Sequence, residues 1–425
     1  MRALIYQLGT LIGLPAALYA PHVGLLLYYW LSLMSPHSLA WGGLPLPWIA
    51  MAAAATVVGL ILSQDRQSPF SSTTMTLLIL LWVWTLITTL VAYHPIEAWQ
   101  HWIAWSKIVL MTVVAVSILN SRLKLQAFVW ILVLSIGYYS VKGGLFVLAS
   151  GGNYLVLGPS ASSMAGNNEI ARAFIMTLPL MIFLALHSAK RSTRLALWAG
   201  SGLTVLALVG TNSRGGFIAF LAMIVVAWLR SQYKLQALAV TAVVIAAGYF
   251  LLPEERIAGT RDRYATIEDY SEDTSFQGRV AVWMEALSIV KDNPVTGGGF
   301  DVFEISVGRA SHNSYIEAAG EHGLIGLTLY ILVIVMAIKH LSSVVKVCRN
   351  DPELFWARDL ARLMQLSFVG YLVGSLVINH AFFEYFYVQV GIVAALYILV
   401  VKRMTVASEN LEGIAAENNN CGKAA

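Results

Sequence analysis

Lys107, Lys142, Arg172 and Arg214 lie inside or at the edge of long apolar stretches, where a basic side chain costs roughly 2.5 to 3.5 kcal/mol on insertion scales. Cations held there need a compensating anion. Glu97, Glu169 and Glu384 stand near the same level, so each cation has a plain reading in which it snorkels or pairs with a carboxylate, best for Arg172, three residues after Glu169. Arg214 in "TNSRGGFIAF" (211–220) and Arg279 in "GRVAVWMEAL" (278–287) have a second peculiarity. The pattern puts each in the first turn of a helix, whose open N–H groups already carry the positive end of the helix dipole. A cation there becomes favourable when an anion bridges the guanidinium and the free N–H groups, as phosphate does at helix N-termini. Gly215 and Gly216 would let a phosphate approach the backbone, and helix packing through small residues explains them equally well. His312, in "SHNSYIEAAGEHGLIG" (311–326), sits near Asn313, Tyr315 and Glu317. A near-neutral imidazole in such surroundings can take a proton from a hydroxyl, although a lone loop histidine is more often plain surface.

The elements that must position these groups are membrane helices. Of 425 residues, 58% are hydrophobic and 12% charged, with a mean hydropathy of +0.70, which is too apolar for a soluble chain of this length. Apolar stretches of roughly 17 to 25 residues recur throughout, the length a helix needs to cross the hydrocarbon, so the expected class is an all-α polytopic membrane protein rather than a barrel. The spans read at about 3–19, 21–36, 46–63, 74–93, 102–118, 125–149, 168–188, 193–210, 213–230, 234–252, 321–345, 360–379 and 383–402. Basic connectors at Lys190–Arg194, Arg230–Lys234, Lys339–Arg349 and Lys402–Arg403 mark the cytoplasmic side. Parity is satisfied by about twelve crossings, with one of the first two segments, near Pro15 and Pro21, not fully spanning.

This divides the chain into N-terminal membrane helices (1–252), an external segment (253–320), C-terminal membrane helices (321–405) and a polar tail (406–425) expected to be disordered. The external segment has six basic and twelve acidic side chains, a net of −6, so it is no polybasic trap. Within it, Val280, Trp283, Leu287 and Val290 recur at helical spacing and predict an amphipathic helix that stops at Asn293, Pro294 and Gly297–Gly299. No cleavable signal peptide is expected. Cys348 and Cys421 make neither a disulfide framework nor a metal spacing.

Other chemistries find little support. "GNNE" (166–169) and Asp301 do not make an evident divalent-cation site, the histidines are too scattered to specify zinc, and "SVKGG" (140–144) lacks the strand and spacing of a phosphate loop. Nothing points to nucleic acid. Trp99, Trp102 and Trp105 read as interfacial anchors before sugar-stacking platforms. An anion with its tail in lipid and its charge at the interface fits a polyprenyl pyrophosphate, and ordinary phospholipid headgroups are the blander candidate.

The motifs "TNSRGGFIAF", "GRVAVWMEAL", "NPVTGGGF" and "SHNSYIEAAGEHGLIG", in that order across one external segment, resemble the O-antigen ligase and polymerase superfamily. The N-terminal half resembles a narrower branch, the O-glycosylation ligases, through "SPHSLAWG" (35–42), "SIGYYSVKGGLFVLASGG" (135–152) and "GNNEIARA" (166–173). The resemblance covers nearly the whole chain except the tail. It implies a metal-independent, cofactor-free glycosyltransferase of the GT-C class in the bacterial inner membrane, with its active site facing the periplasm. Such enzymes move a glycan from undecaprenyl pyrophosphate to the lipid A core, to another repeat unit, or to a protein hydroxyl. It further implies that Arg214 and Arg279 contact the pyrophosphate and that His312 activates the acceptor hydroxyl, while Lys142, Arg172 and Lys107 remain further candidates from their charge placement alone. A transporter for the same lipid-linked sugar is the alternative from another class, but it would need basic groups along a path to the cytoplasm. Ala165 and Gly166 stand before "NNE" where an acidic residue would be expected, so that loop receives no specific role. The topology is checked by an Asp273→Cys variant. It should react with a membrane-impermeant thiol reagent from the periplasmic side, and labelling only from the cytoplasm would reverse the orientation.

Overall fold

The computed structural model describes residues 2–40, 43–160, 162–231 and 274–401. The expected span at 234–252, the external segment up to residue 273 and the polar tail lie outside the described residues. The rest is helical, with no strand among the described residues. In chain order the helices are α1 (Arg2–Tyr19), α2 (Pro21–Tyr29), α3 (Trp48–Leu62), α4 (Thr73–Leu90), α5 (Pro95–Ile118), α6 (Arg122–Ser150), α7 (Asn167–His187), α8 (Arg191–Gly210), α9 (Arg214–Arg230), α10 (Thr274–Asp292), α11 (Val302–Ser306), α12 (Ser314–Val347), α13 (Phe355–Gly374) and α14 (Glu384–Val401). Seven of them, α4 to α8, α12 and α14, are long and apolar enough to cross a membrane, and α1 and α3 are shorter apolar helices. The chain is a multi-pass membrane protein. α2 continues only through a five-residue π turn, Trp30–Met34, before Ser35 turns it at φ 47°. At about 1.5 Å per residue that is roughly 21 Å, short of a hydrocarbon core of roughly 30 Å.

α7 and α14 form the interior. Both are apolar on all sides, and 83% and 78% of their spanning windows are buried, against 39 to 56% for the other five. Polar side chains join them: Gln389 donates to Met176 O at 2.9 Å, Ser367 of α13 donates to Gln389 at 2.6 Å, and Thr177 meets the Tyr385 hydroxyl at 2.7 Å. Such groups hold helices together where apolar contact alone gives no preference over lipid. "SVKGG" lies within α6 and serves packing, since a side chain at Gly144 would run into the Leu203 backbone of α8.

α12 is broken at Gly323 (φ 68°, ψ −173°), and the break explains the glycine run before it. In a straight helix Leu324 N–H would donate to Gly320 O; here it donates to Pro294 O at 2.9 Å. The Gly320 and Glu321 carbonyls accept instead from Gly298 and Gly299 N–H, each at 2.8 Å, and His322 O accepts from the Trp84 indole at 2.9 Å. "NPVTGGGF" is thus a plug for a broken membrane helix. Its backbone comes so close that Gly297 (φ 66°) and Gly299 (φ 88°) have no room for a side chain.

The predicted amphipathic helix is present as α10, but its buried stripe is Val282, Ala286 and Ile289. Leu287 is exposed, and Val280, Trp283 and Val290 are only half-buried. The stripe packs on Val302 and Phe303 of α11, whose ring also fills the space beside Gly320, so the contact favours small residues over Trp283 and Leu287. Gly323→Ala should cost at least the ~1–3 kcal/mol of a strained backbone position, because its Cβ would meet the Val295 carbonyl. Thermal unfolding in detergent should show a lowered midpoint for Gly323→Ala and none for Gly202→Ala, where the helix has open space.

Candidate functional site

The N-termini of α7, α9 and α12 meet at one end of the bundle, and the segment joining α13 to α14 runs between them. This segment, residues 375–381, is an irregular strap: it begins as turns on the end of α13, with Val377 and Ile378 N–H donating to Gly374 O, and its remaining polar groups are taken by neighbouring elements. Ser314 N–H donates to Ser375 O (2.8 Å), the Asn313 amide to Leu376 O (3.1 Å) and the Ser314 hydroxyl to Ile378 O (2.9 Å). Arg172 donates to Asn379 O (2.6 Å) and His380 O (3.2 Å). Glu317 accepts from the His380 and Ala381 N–H groups at 2.7 and 2.8 Å, and the Tyr387 hydroxyl donates to Ala381 O at 2.9 Å.

His312 rides on a stitched turn. Asn313 caps α12, its side-chain oxygen accepting from Tyr315 and Ile316 N–H. Ser311 O accepts from the Trp283 indole of α10 at 2.9 Å. His312 itself is left-handed (φ 50°) and half-buried. The turn before α9 repeats the plan: Asn212 is left-handed (φ 53°), Ser213 caps the helix through Gly216 N–H at 3.0 Å, and Arg214 is its first residue. The two turns meet through the strap, because Gly215 packs against Val377 and Ile378.

"GNNE", given no role from the sequence, builds this junction. The Asn167 amide donates to Thr211 O (3.0 Å), Asn168 accepts from the Ser213 hydroxyl (2.6 Å), and Glu169 lies 3.6 Å from His380 Nε2. Asn167, Asn168, Glu317 and His380 were the residues sequence reasoning missed as parts of one assembly; only the position of the first three at helix starts hinted at them, and nothing marked His380.

The candidate cations separate by environment. Arg214, Lys107 and Lys142 are exposed, and among the described residues none of them lies in an ion pair. Lys107 and Lys142 sit on exposed apolar faces of α5 and α6, beside Ile103 and Leu110 and beside Tyr138, Leu145 and Phe146. Arg172 is different: it is 1% exposed, holds two strap carbonyls and lies against the Tyr371 and Phe383 rings. Its expected partner Glu169 turns to His380 instead. Arg279 lies on α10, but the helix starts at Thr274, so Arg279 falls in the second turn and the helix-end argument does not apply to it. Its side chain lies outside the described part. Gly215 and Gly216 are filled by neighbours, Gly216 by Ala171, so packing rather than phosphate approach accounts for both. Among the described residues no group of His, Cys, Asp and Glu converges as a metal site.

Other basic side chains lie at the opposite end of the bundle. Arg122 stacks on Trp356, and His187 meets Asp359 at 3.3 Å. Fold and site together define a polytopic helical membrane protein with an exposed arginine and a histidine whose turns are joined by one strap at one end.

Residues 199–331 match the O-antigen ligase family, which supports the resemblance to the O-antigen ligase and polymerase superfamily. Residues 1–189 match a family of unknown function (DUF5935). The chain is also 29% identical over 136 residues to the exopolysaccharide production protein ExoQ of Rhizobium meliloti (strain 1021), an alignment covering 27% of each protein. The strap account is testable through Glu317→Leu, which strands two N–H donors at roughly 1–3 kcal/mol each. Hydrogen exchange over residues 375–383 should accelerate; unchanged protection would show that Glu317 does not hold the strap.

Proposed function

We propose that this protein is an O-antigen ligase of the GT-C type, with about twelve crossings, in the bacterial inner membrane. It transfers a glycan from undecaprenyl pyrophosphate to a hydroxyl of the lipid A core oligosaccharide at the periplasmic face, without a metal and with inversion. The observation that carries the reading is the junction itself: Arg214, exposed and without a carboxylate partner among the described residues, shares one strap with the His312 turn. The family match over 199–331 spans both turns.

In this mechanism the donor is already activated. As the anomeric carbon–oxygen bond breaks, charge develops on the departing pyrophosphate, and a fixed cation that binds it more strongly as it leaves lowers the barrier. Arg214 supplies that cation. His312 takes the proton of the acceptor hydroxyl as its oxygen attacks from the opposite face. Arg279, Lys107 and Lys142 are assigned to the same anion or its lipid surroundings, and Arg172 to holding the strap.

The similarity to an exopolysaccharide production protein favours a second reading, in which the acceptor is another repeat unit and the enzyme a polymerase with the same donor chemistry. A protein hydroxyl is the third acceptor class. Purified protein given lipid-linked glycan and lipid A core, without divalent metal, should transfer the glycan; transfer only to a second repeat unit would select the polymerase. Arg214→Ala should lose about 10²-fold or more in rate. His312→Asn, which keeps a residue tolerant of positive φ, should stay folded and inactive. Wild-type transfer by that variant removes His312 from the mechanism.

A further inference from the structure

His380 has no assignment in the scheme above, yet it is the most constrained residue of the strap. It is not glycine and stands at φ 82°, a conformation that persists only where surroundings over-determine it. Its N–H is held by Glu317 and its carbonyl by Arg172, which leaves the ring as the one part that faces outward. The side chain keeps 42% of its surface exposed, and its Nε2 lies 3.6 Å from Glu169, an ion-pair separation. Among the described residues Nδ1 has no hydrogen-bond partner.

The ring lies close to Arg214 by construction. Glu169, which pairs with it, follows Asn168, which binds Ser213, the residue before Arg214. Val377 and Ile378, three and two residues before His380, pack on Gly215. We propose that His380 is a further diphosphate-contacting group of this site: its Nδ1–H donates to the phosphoryl oxygens that Arg214 neutralises, while Glu169 holds the other edge of the ring. The inference rests on the diphosphate reading given above and deepens it.

The charged neighbours act in the needed direction. Burial works against the imidazolium, and Arg172 opposes it as well, but the Glu169 and Glu317 carboxylates outweigh both and raise the pKa of His380 above its ordinary value. Groups facing it are Glu169 and Arg172 from α7 and Glu317 from α12. A raised pKa means that the charged donor is present below the ordinary histidine range and is lost as pH rises through the raised value. Affinity for a diphosphate should fall in that window.

The test is binding of farnesyl diphosphate to the full chain in detergent, measured at about pH 6 and about pH 8.5, on either side of histidine titration. His380→Asn keeps a residue suited to positive φ and removes the titrating donor. Wild-type affinity should drop with pH by about tenfold more than that of His380→Asn, the worth of one charge-assisted hydrogen bond. This difference cancels the titration of the diphosphate and of His312, which both proteins share. Glu169→Gln should move the wild-type fall to lower pH, and it decides the matter if His380→Asn does not fold. Equal affinities for wild type and His380→Asn at both pH values, with binding still lost in Arg214→Ala, overturn the role of His380 and leave the diphosphate reading intact. Wild type that binds no farnesyl diphosphate at either pH overturns both.

Discussion

Inside a bilayer an unpaired backbone N–H or C=O has no water to turn to, so a membrane helix can be broken only where protein repairs the break. This chain breaks its helical order twice at the same end, at Gly323 and at the strap 375–381, and both repairs are made by backbone and side chains at close quarters. The first repair uses the glycine run 297–299, which ties the segment after α10 to α12. The second uses Asn313, Ser314 and Glu317, all from the first turns of α12. The same short piece of helix is therefore gripped on one side by the plug and on the other by the strap, and His312 is fixed because everything around it is.

The two repairs also explain where charge is buried. Glu317 accepts two N–H groups and Arg172 satisfies two carbonyls of the same strap, so each compensates what the irregular backbone would otherwise leave exposed to a low dielectric. Glu321 does the same on the plug side, accepting from Asp301 N–H at 2.9 Å where Asp301 turns left-handed. Buried ionic groups in this end of the bundle are structural cement first. Arg214 is set apart from them by what it lacks: it is exposed, begins a helix and has no carboxylate against it among the described residues.

The helices were legible because apolar length and charge placement are properties of each segment alone. The strap was not. Residues 375–379, Ser-Leu-Val-Ile-Asn, continue the apolar run of α13 and read as the end of one span, yet the helix ends at Gly374 and the chain turns irregular, its backbone groups taken by Arg172 of α7 and by Ser314 and Glu317 of α12. The reading of α10 failed in its face for a similar reason: it weighed Trp283 and Leu287 by size, whereas Phe303 selects the stripe that admits a ring. Arg214 at a helix start was readable from local pattern, and Arg279 was not, since α10 begins earlier than the apolar periodicity that defined it.

A shared detail of the two site turns bears on why these residue types occupy them. Asn212 and His312 each take a left-handed conformation immediately before a capping residue, Ser213 or Asn313. Glycine would adopt that backbone at no steric cost, so local conformation alone does not call for histidine at residue 312. A left-handed residue outside the helix projects its side chain away from the axis of the helix that follows, while the cap fixes the turn that carries it. The arrangement presents a polar side chain beside helix N–H groups without breaking the cap, and doing so twice, on helices joined by one strap, brings a basic ring and a cationic helix start to a common region. The strain of the left-handed imidazole is intelligible if the side chain has a task there that glycine lacks the atoms to perform.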